Sequence, residues 1–176
     1  MWCRTATCCI FGLRIEQGIK MVEPKYYWED FKIGEVAKFG AYHVTKEEII
    51  EFASTYDPQT IHLDEEAAKH SIVGGLCASG WHTCAMVMRM MCDEYLVASA
   101  GMGGLGINDA RWRAPVRPDE ILSVERVCLE SRLSKSRPDR GILNFRHTAS
   151  NQRGEVKLII EGPMMMLARR FPGQEA

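Results

Sequence analysis

From Leu76 to about Ala100 apolar side chains recur at helical spacing, with Trp81, Ala85, Met88 and Met91 among the periodic positions, and this predicts one long core helix entered through Gly74-Gly75. Beyond Gly101 the period changes. Leu105 to Pro115, Glu120 to Leu133, Gly141 to Asn151 and Glu155 to Ala168 read as β-strands, separated by Arg-Pro-Asp-Glu, Arg-Pro-Asp-Arg and Gln-Arg-Gly turns. A helix followed by a run of strands, without βαβ alternation, predicts an α+β fold in which an antiparallel sheet wraps the helix.

Upstream, Thr45-Lys46-Glu47-Glu48 has the form of a capping box, Ile49, Ile50, Phe52 and Ala53 follow at helical spacing, and Pro58 forbids continuation. Residues 45 to 56 are therefore expected to be helix. Val36 to Val44 reads as a strand, Tyr26 to Gly34 as an irregular lead-in with aromatic anchors, and Asp64 to Lys69 as a second short helix.

Composition narrows the function classes. With 176 residues the chain is long enough for one domain with a real core, and 22 Lys+Arg against 23 Asp+Glu leave no field to attract nucleic acid or an anionic membrane. The run from Leu76 is broken by His82, Arg89, Asp93 and Glu94, too early for a membrane span. Seven cysteines, an odd number without Cys-x-x-Cys or zinc-finger spacing, predict reduced thiols and no metal; Cys77, Cys84 and Cys92 are expected on one helical face as small hydrophobes. Residues 1–20, with three of those cysteines and a basic excess, are expected to be a disordered N-terminal extension or leader, and residues 21–176 the folded domain. A cytoplasmic location is expected, with organelle targeting by residues 1–20 left open. Gly101-Met102-Gly103-Gly104-Leu105-Gly106 matches a dinucleotide-binding pattern in letters only: a helix leads in and a strand comes after, the reverse of what that motif requires, so it reads as a connector.

The chemistry concentrates at Asp57 and His62, an Asp-x4-His pair just ahead of the glycine turn. Two groups able to move protons precede backbone N–H groups able to receive a developing oxyanion. A turn-forming Asp before Pro and a satisfied loop histidine are the structural alternatives at these positions. His43, His70, His82 and His147 are expected to be structural or solvated, with His147 on an edge-like strand, and Met164-Met165-Met166 core or interface.

The stretch FASTYDPQTIHLDEEAAKHSIVGGLCASGWHT, from Phe52 to Thr83, resembles the MaoC-like dehydratases and R-specific enoyl-CoA hydratases, and Arg111 to Pro118 resembles their strand-and-turn signature. The resemblance implies a hot-dog fold, a long central helix wrapped by an antiparallel sheet, with a short helical overhang carrying the catalytic pair. It implies that Asp57 and His62 activate the water added to a trans-2-enoyl thioester and relay the proton, and that Gly75 offers its N–H to the thioester oxygen. Gln59 and Gly74 are candidate substrate-binding residues. No metal or redox cofactor is implied; coenzyme A enters as part of an acyl-CoA, or a carrier protein takes its place, and a homodimer or dimer of dimers is expected. Arg111 and Arg113 are candidate phosphate contacts or solvated strand charges.

Four positions depart from the family pattern. Gln59-Thr60 stands where Asn-Pro is usual, Gly74 where a histidine is common, and Asp119 where the turn after Pro118 usually has glycine. A hot-dog thioesterase, or a non-catalytic acyl-binding or assembly module, are the competing readings.

Overall fold

The computed structural model describes residues 23–169; the expected extension over residues 1–20 lies outside them. A short 3-10 turn at Trp28–Asp30 leads into strand β1 (Val36–His43). Helices α1 (Lys46–Tyr56), α2 (Thr60–Leu63) and α3 (Glu65–Lys69) form an overhang, and α4 (Gly80–Met91) comes next, running on through a π-helical turn at Cys92–Leu96. Strands β2 (Gly101–Gly104), β3 (Asp109–Trp112), β4 (Ile121–Leu133), β5 (Arg140–Ser150) and β6 (Val156–Leu167) complete the chain. All pair antiparallel in the order β1-β4-β5-β6-β2, with β3 also on β6. The α+β arrangement expected from the order of elements is the one observed.

Side-chain period explains the layers. Leu122, Val124 and Cys128 on β4 and Leu143, Phe145 and Ala149 on β5 alternate inward, and they share one core with Met86, Val87 and Met90 of α4. Each large apolar side chain buried there contributes about 1.5–3 kcal/mol. At Gly40 β1 takes a positive φ of 80°, and a Cβ there would collide with the Met90 side chain of α4, at the bulge between Phe39 and Tyr42. The Thr45 side chain caps α1 by accepting from the Glu48 N–H at 3.2 Å, as the capping pattern predicts.

Several details differ from expectation. Helix α4 begins at Gly80 rather than near Leu76, because Ser79 is the residue whose hydroxyl accepts from the Trp81 N–H, while residues 74–79 run as a link without helical bonds. Cys77 consequently sits in that link and not on the helical face with Cys84. The segment expected as one strand from Leu105 contains only the short strand β3, and the glycines expected as a connector form β2. His147 is not on an edge: β5 lies between β4 and β6, and the ring is buried beside Tyr95, whose hydroxyl is 3.1 Å from Nε2. Burial, aided by Arg126, pushes this histidine down to about 4. Among the described residues no helix is long and apolar enough to cross a membrane.

The turn between β3 and β4 carries the substitution with a backbone consequence. Asp119 has φ 63°, the left-handed region where a side chain costs energy and glycine does not. Asp119→Gly is expected to raise unfolding free energy by about 0.5–1 kcal/mol, part of the relief being offset by the looser unfolded chain. A urea midpoint unchanged or lowered by the substitution would show that this turn is unstrained.

Candidate active site

Pro58 ends α1 and leaves Asp57 as its C-cap, with φ −150° and its N–H donating to the Ala53 carbonyl. The chain turns back through a bond from the Gln59 N–H to the Asp57 carbonyl, and the single turn α2 then carries His62 inward. The two side chains meet: Asp57 Oδ2 lies 3.5 Å from His62 Nε2, with side-chain exposures of 19% and 7%.

Each partner is held in place by neighbours. His62 Nδ1 is 2.7 Å from the Cys77 carbonyl, an acceptor only, so Nδ1 bears a hydrogen and Nε2 is the nitrogen turned toward Asp57. Asp57 Oδ2 accepts from the Ser79 hydroxyl at 2.6 Å and Oδ1 from the Gln59 side-chain amide at 2.7 Å. These two bonds, Ser79 first, outweigh partial desolvation and hold the carboxyl below its usual range. The Cys77 thiol lies 3.7 Å from Nδ1, yet burial pushes its pKa up, so it stays a neutral thiol rather than a nucleophile paired with histidine.

The link 73–79 is gripped from both sides. Toward the dyad it supplies the Cys77 carbonyl and the Ser79 hydroxyl. On its other side the Arg117 guanidinium donates to the carbonyls of Val73, Gly75 and Leu76, the last at 3.0 Å. Arg117 is itself placed by its backbone N–H, which donates to Glu120 Oε2 at 3.0 Å. Glu120 and Lys157 form an ion pair of 2.9 Å with side-chain exposures of 3% and 2%, and the same ammonium donates to the Pro115 carbonyl. A planar fork with several fixed donors suits this task as a lysine would not.

The remaining expected site residues are more dispersed. Gly75 has φ 147°, and its N–H donates to no acceptor among the described residues; it precedes α4 by a short link instead of opening it. Gly74, φ 68°, is exposed and closes a turn onto the Ser71 carbonyl. Gln59 is exposed and spends its side-chain amide on Asp57. Arg111 pairs with Asp109 at 2.8 Å, whereas Arg113 lines a cavity of about 330 Å³ with His62, Cys77, Gly80 and Trp112. A second, apolar cavity of about 380 Å³ lies between α4 and β6, with His62 and Asp57 absent from its walls; exposed Met88 and Ile107 mark it as a seam at the sheet edge. Among the described residues no three His, Cys, Asp or Glu side chains converge as metal ligands.

Sequence reasoning missed Ser79 and Arg117. A serine before Gly80-Trp81 is a helix N-cap signal, which the glycine pair upstream overshadowed. Arg117 carries no local signal, because its three acceptors lie some forty residues earlier in the chain.

Comparison with known proteins places this arrangement. The MaoC-like domain profile matches residues 30–150. The chain belongs to the MaoC-like domain family. YdeM of Bacillus subtilis (strain 168) is 32% identical over 142 residues, which cover 81% of this chain and 98% of YdeM. The crystal structure of a MaoC-like dehydratase from Rhodospirillum rubrum is 40% identical, with a TM-score of 0.78 over 83% of this chain and 99% of that one. The R-hydratase PhaJ1 of Pseudomonas aeruginosa, 18% identical with a TM-score of 0.63 over 85% and 96% of the two chains, shares the fold. This MaoC-like chain thus has the hot-dog architecture, with α1–α3 as its overhang.

The geometry makes two variants informative. Ser79→Ala removes the stronger of the two bonds to Asp57, and carboxyl ¹³C NMR is expected to show the Asp57 pKa rising toward the ordinary value. Because the folded pKa is the depressed one, this bond's stabilisation is present above the unfolded pKa and is lost as pH falls through the folded pKa, so the variant's deficit should be larger at neutral pH than in acid, where only the lost α4 cap remains. Arg117→Met leaves three carbonyls without their donor, and amide exchange at Cys77 and Ala78 is expected to quicken by about tenfold or more, a local opening that costs less once the grip is gone. Unchanged protection would mean the link holds itself.

Proposed function

We propose that this protein is an acyl-thioester hydratase/dehydratase, a lyase that reversibly adds water to a trans-2-enoyl-CoA to give an R-3-hydroxyacyl-CoA. The observation that carries the reading is the 3.5 Å approach of Asp57 Oδ2 to His62 Nε2, too long for a strong direct bond and suited to two groups that grip one water. Family membership supports a hydratase or dehydratase; the roles of the individual residues rest on the geometry.

In the proposed hydration, the water donates one hydrogen bond to the ionised Asp57 and one to the Nε2 lone pair of His62. As its oxygen bonds to C3 of the enoyl thioester, Nε2 takes the proton and the conjugated electrons move onto the thioester oxygen. The Gly75 N–H, free of other acceptors among the described residues, receives that enolate oxygen, a contact worth about 3 kcal/mol in the transition state. The imidazolium, steadied by Asp57, returns the proton to C2. One water is added and nothing else is consumed, so the proposed path calls on no metal or redox cofactor. Dehydration of the 3-hydroxyacyl thioester is the same path reversed.

The proposed assembly is a homodimer. Strands β2 and β3 end the sheet on β6, and Met102, Leu105, Ile107 and Trp112 stand exposed along them. A second copy would cover this apolar margin and its unpaired backbone.

The test is loss of enoyl-thioester absorbance with a panel of trans-2-enoyl-CoAs. Wild type is expected to hydrate at least one, and Asp57→Asn and His62→Ala to lose at least about 100-fold in kcat with folding retained. Release of free coenzyme A thiol without hydration would replace this reading with a thioesterase; unaltered activity in both variants would remove the dyad from the chemistry.

A further inference from the structure

Past Tyr56, the groove between α1 and α4 holds a further cavity of about 430 Å³, and its wall sets the carboxylates Glu48 and Glu51 among the apolar Phe52, Ala85 and Met86. Glu48 is central to it. One carboxylate oxygen accepts the Tyr42 hydroxyl from β1 and lies 3.2 Å from Nε2 of His82 on α4. Phe52 stacks flat on the imidazole, with ring centroids 4.6 Å apart and planes 7° from parallel. Burial, followed by the bond to Glu48, pushes Tyr42 up to about 12, so its hydroxyl remains a donor to the carboxylate. His82 is 3% exposed, and its Nδ1 has no partner among the described residues. Two side chains from two other elements thus hold one oxygen of Glu48, and the side chain as a whole is 34% exposed at the cavity.

This cavity adjoins the dyad. Tyr56 in its wall immediately precedes Asp57, and His82 lies three residues along α4 from Ser79, the residue bonded to Asp57. Side chains at that spacing have Cβ atoms about 5–6 Å apart. His62 lines one cavity and Tyr56 the other, and the two linings come together on α4 at the consecutive residues His82 and Thr83, the boundary an acyl chain reaching from His62 toward Glu48 would have to cross. The acceptors of the wall are the Glu48 and Glu51 carboxylates; the Thr55 hydroxyl already donates to the Glu51 carbonyl, Arg89 pairs with Asp93 through Nε and Nη2, and the Tyr56 hydroxyl is a further donor in the lining.

We propose that the cavity between α1 and α4 is a selective acyl subsite for chains bearing a hydroxyl group, which donates to the Glu48 carboxylate held by Tyr42 and His82. A plain alkyl chain would strip water from Glu48 and return no hydrogen bond, and a terminal carboxylate would add negative charge beside Glu48 and Glu51. The subsite rests on the acyl-thioester reading of the dyad, but its test need not involve hydration.

The experiment is calorimetric binding of three saturated thioesters, hexanoyl-CoA, 6-hydroxyhexanoyl-CoA and adipyl-CoA, to the full chain. The hydroxylated ligand is expected to bind at least about 10-fold tighter than hexanoyl-CoA, with adipyl-CoA the weakest. Glu48→Met is expected to abolish the preference while leaving hexanoyl-CoA bound as well or better. Tyr42→Phe, a gentler change should that variant not fold, is expected to reduce it several-fold. Equal or weaker binding of the hydroxylated ligand, tightest binding of adipyl-CoA, a preference that survives Glu48→Met, or binding of none of the three would each overturn the subsite. Inability to hydrate both trans-2-hexenoyl-CoA and its 6-hydroxy analogue would instead sink the hydratase reading, whichever way the saturated ligands rank.

Discussion

The contact between the Arg117 guanidinium and three carbonyls of the link 73–79 is the constraint on which the site depends. Carbonyls of an irregular segment must find donors, and here one planar side chain serves Val73, Gly75 and Leu76 together. With those acceptors occupied, the Cys77 carbonyl is left for His62 and sets its tautomer, and the Ser79 hydroxyl is left for Asp57. The dyad is thereby tuned by a segment that contributes no acid or base of its own.

Much of this fold is legible locally. The capping pattern at Thr45, the breaker at Pro58 and the alternation along β4 and β5 are signals that act over a few residues, and the structure obeys them. The start of α4 is easily misplaced because Gly74-Gly75 resembles a helix entrance, whereas the hydroxyl that caps the helix belongs to Ser79. The glycines from Gly101 look like a connector on propensity, yet β6 offers them a free edge, and tertiary pairing overrides local preference. His147 shows the same limit: a polar residue in a strand suggests an edge until Tyr95 is found to partner its ring in the core.

At the candidate site, residue types are more readable than relationships. Asp57 and His62 are close in sequence, and their meeting depends on one turn at Pro58. Gln59, expected beside substrate, braces Asp57, a role that only the curl into α2 reveals. Arg117 and Glu120 are three residues apart, but Lys157 and the carbonyls of the link are distant in sequence, and the set is joined only once β6 is seen against the turn before β4.

The buried pair of Glu120 and Lys157 bears on how the molecule comes apart. Lys157 belongs to β6, a strand flanked by β5 on one side and by β2 and β3 on the other, and through Glu120 and Arg117 it fastens the segment that orients the dyad. Local opening of that segment would strip a desolvated ion pair of its surroundings, so the site has little freedom to fray while the sheet stays intact. The geometry of the dyad and the integrity of the sheet therefore belong to one cooperative unit, and warming should undo both in a single transition rather than loosening the site first.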